Sequence, residues 1–418
     1  MEKASIITIG DELLIGQVID TNSAWLAQEL NKMGLLVSRR LAVGDNEADL
    51  WKALDGMFDN RLVIITGGLG PTSDDITKPF LLRYFGGSLH IHQPTLTHIR
   101  HLWENVFKRE LTELNARQAE VPDTCRVLPN TVGTAPGMWF EKNGTTFISL
   151  PGVPYEMKTI MQEYGFDEIR KAMTGAGVLH KTLETFGIGE SLIADRLRAF
   201  EECLPPFIRL AYLPNYSLVR LRLTGINENP VFLEEEIDRK FHEMESLLKD
   251  VSICAEDKPM EEIVMQLLLE RKKTMATAES CTGGYISHLI TGIPGSSAIF
   301  DGATVTYSYE LKESLLHVSP QTLKDHGAVS EEVVKQMLQG LFQISRADFG
   351  IAVSGTMGPG GGTAEKPVGT VWIAAGSRRN QITQKFHFRF GRRQNIELTA
   401  MNALNLLRKS ILMGDWKD

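Results

Sequence analysis

The first third of the chain alternates short apolar runs with stretches whose apolar residues recur every three or four positions. "ASIITIG" (4–10) reads as a buried strand and "NSAWLAQELNKMG" (22–34) as an amphipathic helix that Gly34 can close. "LLVSRRLAVG" (35–44) is a second strand, "EADLWKALDGMF" (47–58) a second helix and "RLVIITGG" (61–68) a third strand. This βαβαβ order predicts a parallel sheet with helices on both faces. In such sheets ligands bind beyond the carboxyl ends of the strands. "GDELLIG" (10–16) and "GGLGPTSDD" (67–75) follow strands directly and are therefore placed on that edge.

Past "FISLPGVPYEMK" (147–158) the alternation loses regularity, and residues 178–252 read as a small α+β unit. "FIRLAYL" and "SLVRLRLTG" alternate apolar and polar residues around a "PNYS" turn, and a charged helix follows over 233–249. No catalytic grouping stands out there, which suits a spacer. From "CAEDKPMEEIVMQLLLERKKT" onward a further α/β unit begins, with strand candidates "TMATAES", "FDGATVTYS", "FGIAVSG" and "GTVWIAAG". "GRRQNIELTAMNALNLLRKSIL" is the closing helix. The fold class expected is α/β: an N-terminal parallel-sheet domain, a small α+β middle domain and a C-terminal α/β domain. A chain of 418 residues is too long for one hydrophobic core.

Composition narrows the class. The hydrophobic content of 43% with 23% charged residues excludes a mostly disordered chain, and a net charge of −8 gives no general attraction to nucleic acid or anionic lipid. Cys125, Cys203, Cys254 and Cys281 form no CxxC pair, which fits a reducing compartment rather than a zinc ribbon or disulfide scaffold. With no signal-peptide pattern and no apolar run long enough to span a membrane, the expectation is a cytoplasmic protein.

Candidate chemistry lies in the last unit. Ser280, in "AESCTGG", follows an apolar strand and precedes what reads as a helix opening at Cys281. Such a turn offers backbone N–H groups and a helix dipole to a developing oxyanion or to a phosphate. Equally, Ser280 and Thr282 could simply cap the helix. No histidine lies within seven residues. Tyr307 and Lys312 follow a later strand, and a desolvated lysine can serve as a base for a serine. The glycines from Gly355 to Gly362 form a loop with exposed amides suited to a phosphate or carboxamide.

"AESCTGG", "PGSSAIFDGATVTYSYELK" and "SGTMGPGGGTAEKPVGTV" together resemble the C-terminal domain of the CinA family, whose members include nicotinamide mononucleotide (NMN) amidohydrolases. The resemblance spans residues 256–418 and implies deamidation of NMN to nicotinate mononucleotide, with Ser280 as nucleophile activated by Lys312 and Tyr307. It implies substrate contacts from Cys281, Thr282, Gly283 and Gly284, and from Gly355, Gly358, Gly360 and Gly361. Tyr309 departs from the asparagine usual at its position. No cofactor is implied for this site.

In the first unit, Asp11, Glu12, Asp20, Asp74 and Asp75 lie in or beside glycine-rich turns on the same expected sheet edge. Carboxylates so placed suit a hard cation shared with phosphates, and the amides of Gly67, Gly68 and Gly70 suit the phosphates themselves. Taken singly, each aspartate is equally well a helix cap or turn residue. "GGLGPTSDDIT", "DTNS" and "LPGVPYEM" resemble the molybdopterin-binding, MoaB/MogA-like domain of CinA proteins over residues 1–172. That resemblance implies cleavage of the ADP-ribose pyrophosphate bond at Asp75, substrate contacts from Gly67, Gly68, Gly70 and Thr72, and a divalent metal, magnesium first, at Asp11, Asp20, Asp75 and Glu156. It also implies a homodimer, to which the apolar closing helix could contribute.

His90, His92, His98 and His101 match no metal-ligand spacing and read as surface or packing residues. Two rival readings stand beside a bifunctional nucleotide hydrolase: a pterin adenylyltransferase, and a non-enzymatic accessory factor in DNA uptake, which the acidic balance does not support.

Overall fold

The computed structural model describes residues 3–70, 75–173, 177–215, 218–256 and 258–413. Two compact units are formed, one from Met1–Lys181, Arg196–Ala211 and Arg222–Leu247, the other from Thr182–Asp195, Tyr212–Leu221 and Leu248–Asp418.

In the first unit, β1 (Lys3–Ile9), β2 (Leu36–Val43) and β3 (Leu62–Thr66) are joined by helices Thr21–Lys32 and Glu47–Asp55, as the periodicity predicts. A short pair follows, β4 (Leu89–Ile91) with β5 (Glu120–Pro122), and then β6 (Arg126–Leu128), β7 (Gly137–Lys142) and β8 (Thr145–Leu150). The main sheet has the order β2-β1-β3-β8-β7-β6. β2 and β3 run parallel to β1, and β8 parallel to β3. β7 turns back antiparallel to β8 through Asn143-Gly144, both at positive φ, the two-residue turn that matches strand twist. The central strands β1 and β3 are buried on both faces. Ala4 and Ile6 enter one core, Ile7 and Ile9 the other.

The middle of the chain supplies β9 (Gly177–Phe186), β10 (Ile208–Asn215), β11 (Leu218–Asn227) and β12 (Ser252–Cys254), in the order β10-β11-β9-β12. Part of the expected "PNYS" turn, Tyr216 and Ser217, lies outside the described residues.

The second unit is organised by β13 (Met275–Glu279), β14 (Phe300–Val305), β15 (Phe349–Gly355), β16 (Thr370–Ser377) and β17 (Gln381–His387). Their order is β14-β13-β15-β16-β17, with β14 and β15 both parallel to β13 and the last two antiparallel. The fifth strand, β17, carries too weak an alternation to be read from sequence. Because β13 has a parallel neighbour on each side, the carboxyl ends of β13, β14 and β15 open on the same edge. These are the strands that precede Ser280, Tyr307 and the glycine loop. The closing helix, Arg392–Met413, turns Ala400, Ala403, Leu404, Leu407 and Ile411 into this unit's own core. No helix among the described residues is long and apolar enough to cross a membrane.

One face of the second sheet is lined by small side chains, Ala276, Ala278, Ala352 and Ala374, against which helix Glu331–Ile344 packs with Val334, Met337, Leu338 and Leu341. Gly340 of that helix faces the backbone of Leu316, the last residue of the helix that carries Lys312, so closely that a Cβ there would collide with the Leu316 carbonyl. Gly340→Ala is therefore expected to destabilise the second unit by about 1–3 kcal/mol through overpacking. Chemical denaturation measures this, and an unchanged midpoint would contradict the close approach.

Candidate active site

The turn after β13 is held by a residue that the sequence reading gave no role. Glu279, the last residue of β13, is fully buried. Its Oε2 accepts from the Thr282 hydroxyl (2.7 Å) and from the N–H groups of Gly284 (3.0 Å) and Ile286 (3.1 Å), while Oε1 accepts from the Ser287 N–H (2.8 Å) and hydroxyl. The helix begins at Tyr285, four residues later than expected, with Gly284 at its N-cap and no side-chain cap from Ser280 or Thr282. Glu279 meets the first amides of the helix instead, and Thr282 donates to Glu279. The capping alternative for Ser280 and Thr282 is thereby removed. Gly283 (φ 62°) and Gly284 (φ 97°) supply the left-handed backbone that lets the chain double back over the carboxylate.

Ser280 is released from capping and meets Lys312. Lys312 Nζ lies 3.0 Å from Ser280 Oγ and donates to the Thr306 carbonyl at 2.7 Å. The lysine is 1% exposed and the serine 8%. Lys312 is carried by helix Tyr309–Leu316, whose N-cap Ser308 accepts from the Leu311 N–H. Burial holds the lysine below its ordinary value, with the neighbouring Cys281 sulfur acting weakly in the opposite direction. Cys281 is itself buried in the core beside Met357, and burial pushes its thiol up to about 12. Its side chain is part of the hydrophobic core of the second unit.

Tyr307 stands differently from the expectation. Its side chain is 60% exposed, and its hydroxyl accepts from Arg392 Nη2 at 2.9 Å. The hydrogen-bonded pair is Ser280 with Lys312, and Tyr307 is not part of it. Arg392 also donates through Nη1 to the Gly358 carbonyl (2.8 Å), so one guanidinium ties the glycine loop to Tyr307. Arg392 was not legible as a site residue, because it opens the closing helix 80 positions beyond Lys312. Gly355 ends β15, Gly358 is buried, and Gly360 and Gly361 are exposed on the loop.

The expected N-terminal residues are dispersed. Asp20 caps helix Thr21–Lys32, accepting from the Ser23 N–H (2.9 Å) and the Thr8 hydroxyl (3.1 Å). Asp11 accepts from the Asp45 N–H (3.1 Å). Glu156, raised by burial, accepts from Asn130 (2.7 Å). Asp75 accepts from the Gly70 N–H (2.8 Å), and the Gly67 N–H is bonded to the Leu150 carbonyl, so neither amide points freely outward. Among the described residues no three His, Cys, Asp or Glu side chains converge to hold a metal ion, the four histidines included. The expected set of Asp11, Asp20, Asp75 and Glu156 therefore does not fit a metal as it stands. Thr72 and Asp74 lie outside the described residues. One group was missed: Lys78, three residues after Asp75, which burial brings down to about 8 against the opposing charges of Glu120, Cys125 and Asp75.

Comparison with known proteins follows the same division of the chain. Residues 5–171 match a family described as "Probable molybdopterin binding domain", 180–251 the damage-inducible protein CinA KH domain and 257–411 the CinA C-terminal domain. A CinA-like protein of Cytophaga hutchinsonii is 42% identical over 409 residues, 98% of either chain. The chain belongs to the CinA family. A second CinA-like protein, from Flavobacterium psychrophilum, is 42% identical over 98% of this chain and 99% of its own. Among solved structures, a competence/damage inducible protein of Agrobacterium tumefaciens is 39% identical, covering 36% of this chain and 94% of its own, with a TM-score of 0.35.

The Glu279 cage yields a direct test. Glu279→Ala leaves several buried donors without an acceptor and is expected to destabilise the second unit by about 3 kcal/mol or more. Denaturant unfolding of the full chain reads the loss, and a change under about 0.5 kcal/mol, the range of an ordinary surface substitution, would show that the cage is not holding the turn.

Proposed function

We propose that the second unit is an amidohydrolase acting on NMN, with Ser280 as nucleophile and Lys312 as its base. The observation that carries this reading is the 3.0 Å approach of a buried lysine amine to a serine hydroxyl at the open edge of a sheet. Neutral Lys312 takes the Ser280 proton as Oγ attacks the carboxamide carbon. The proton passes to the departing nitrogen, which leaves as ammonia, and an ester to Ser280 remains. Lys312 then takes a proton from water, which attacks the ester and releases nicotinate mononucleotide, and Ser280 recovers its proton. The Thr306 carbonyl holds the amine in place throughout. The phosphate is assigned to Arg392 and the loop amides near Gly358, where the guanidinium already bridges loop and rim.

The family's N-terminal domain supports a second activity for the first unit, hydrolysis of ADP-ribose to AMP and ribose 5-phosphate. A small cavity of about 110 Å³ at the ends of β1 and β3 is lined by Thr8, Asn22 and Thr66. Asn22 donates to Thr66 (3.1 Å) and to the Gly152 carbonyl (2.8 Å), leaving its buried Oδ1 with no partner among the described residues. Glu12 and Asp20 also line this cavity, while Asp75 and the partly neutral Lys78 lie on the segment that follows the glycine loop after β3.

Purified protein assayed for ammonia from NMN and AMP from ADP-ribose separates the two sites. Ser280→Ala is expected to bring ammonia release to background with AMP release intact; substantial residual deamidation removes Ser280 as nucleophile. Lys312→Arg keeps its charge and cannot accept a proton, so kcat should fall about 100-fold or more. Turnover retained in that variant, with the loss confined to KM, would make Lys312 a phosphate contact instead.

Asp75→Asn should lower AMP release about 100-fold and spare deamidation. Magnesium dependence is read in the same assay: loss of AMP release in EDTA supports a bound cation, and full activity removes it.

A further inference from the structure

The second unit holds a cavity whose lining includes neither Ser280 nor Lys312. Its volume is about 410 Å³, and the described residues that line it all belong to that unit. Its volume falls in the range of about 300–1,000 Å³ typical of small-molecule sites. Phe186 and Tyr285 present rings to it, and leucine, proline and methionine side chains complete an apolar wall. The polar groups at its surface are mainly anionic: Glu184, Glu261 and Glu397, against the single guanidinium of Arg220.

Two of these carboxylates have little to balance them among the described residues. Glu397 is ion-paired at 3.1 Å with Arg393, but the arginine side chain is 89% exposed, a pairing that solvent screens and that can open at little cost. Glu261 receives a hydrogen bond from its own backbone N–H, and burial raises its carboxyl above the usual range. Both line the same cavity as Tyr285. The Tyr285 hydroxyl is raised first by burial and then by the charges of Glu397 and Glu261. An aromatic wall and two carboxylates lining one space of ligand size are complementary to a particular chemistry. A cation placed there meets carboxylates whose charge is otherwise poorly compensated, and its flat body meets ring faces that attract positive charge.

We propose that this cavity is a second small-molecule site, which takes a monovalent organic cation carrying a flat ring. The neutral or anionic counterpart of such a ligand is excluded by the same carboxylates. Nothing in this assignment depends on the deamidase reading.

The test uses the full chain with ¹³C-methyl-labelled methionine. Met401 lies on the cavity wall and is assigned through Met401→Leu. Benzamidine, a flat monovalent cation, is titrated against benzamide, its neutral isostere. The Met401 methyl is expected to shift saturably with benzamidine, at an affinity about tenfold or more above that for benzamide. Glu261→Gln combined with Glu397→Gln should reduce benzamidine to the level of benzamide, and Glu261→Gln alone should fall between. Ser280→Ala should leave the titration unchanged, which separates this site from the amidase pair whatever the outcome there. Equal affinity for the two compounds, no shift of Met401, or a benzamidine preference that survives the double substitution overturns the proposal.

Discussion

Lys312 carries an amine that is 1% exposed, with a serine hydroxyl and a backbone carbonyl as its hydrogen-bond partners. Among the described residues no carboxylate pairs with it. Removing an ammonium group from water without a counter-ion disfavours its charged form, so the burial itself shifts the amine toward the neutral state in which it can accept a proton. The rest of the second unit can be understood as what is needed to keep that amine dry and directed at Ser280. Helix Glu331–Ile344 approaches the Leu316 backbone at Gly340, and the alanine-lined sheet face lets it lie close. The helix that holds Lys312 is thereby pressed down from behind.

The serine needs the opposite treatment. Its hydroxyl must remain available to substrate, and a serine before a helix is readily drawn into capping. Glu279 prevents this by meeting the helix amides and the Thr282 and Ser287 hydroxyls with a single buried carboxylate. Burying a carboxylate is costly unless its oxygens are well supplied with donors. Here the supply comes from the turn itself, so the charge and the turn stabilise each other. Arg392 then extends the assembly outward, joining the glycine loop to the Tyr307 rim.

Sequence pattern alone carried much of this. The βαβαβ order of the first unit was legible because both faces of its sheet are covered, so apolar runs and helical stripes alternate cleanly. The convergence of Ser280 and Lys312 was legible through the family strings, and the structure supplies its physical cause in the parallel neighbours of β13. Other features were hidden for definite reasons. Glu279 lies in a strand-like run, where an acidic residue gives no sign that it will be buried and surrounded by donors. Arg392 sits far along the chain at the start of a helix whose apolar stripe dominates the pattern. The N-terminal carboxylates misled because glycine-rich turns use aspartate for capping and for ligation alike. Asp20 turned out to cap, and Asp11 to bond the backbone of a neighbouring loop.

The central claim is that burial beside Ser280 shifts Lys312 toward its neutral form. It is tested most directly by following the Lys312 side-chain ¹³Cε resonance with pH in the full chain, assigned through Lys312→Met. A midpoint below the ordinary lysine value of 10.5 is the predicted result, with the neutral fraction rising as pH increases and deamidation rising alongside it. A midpoint at or above 10.5 would mean that the amine stays protonated in the resting protein, and would contradict its assignment as the base.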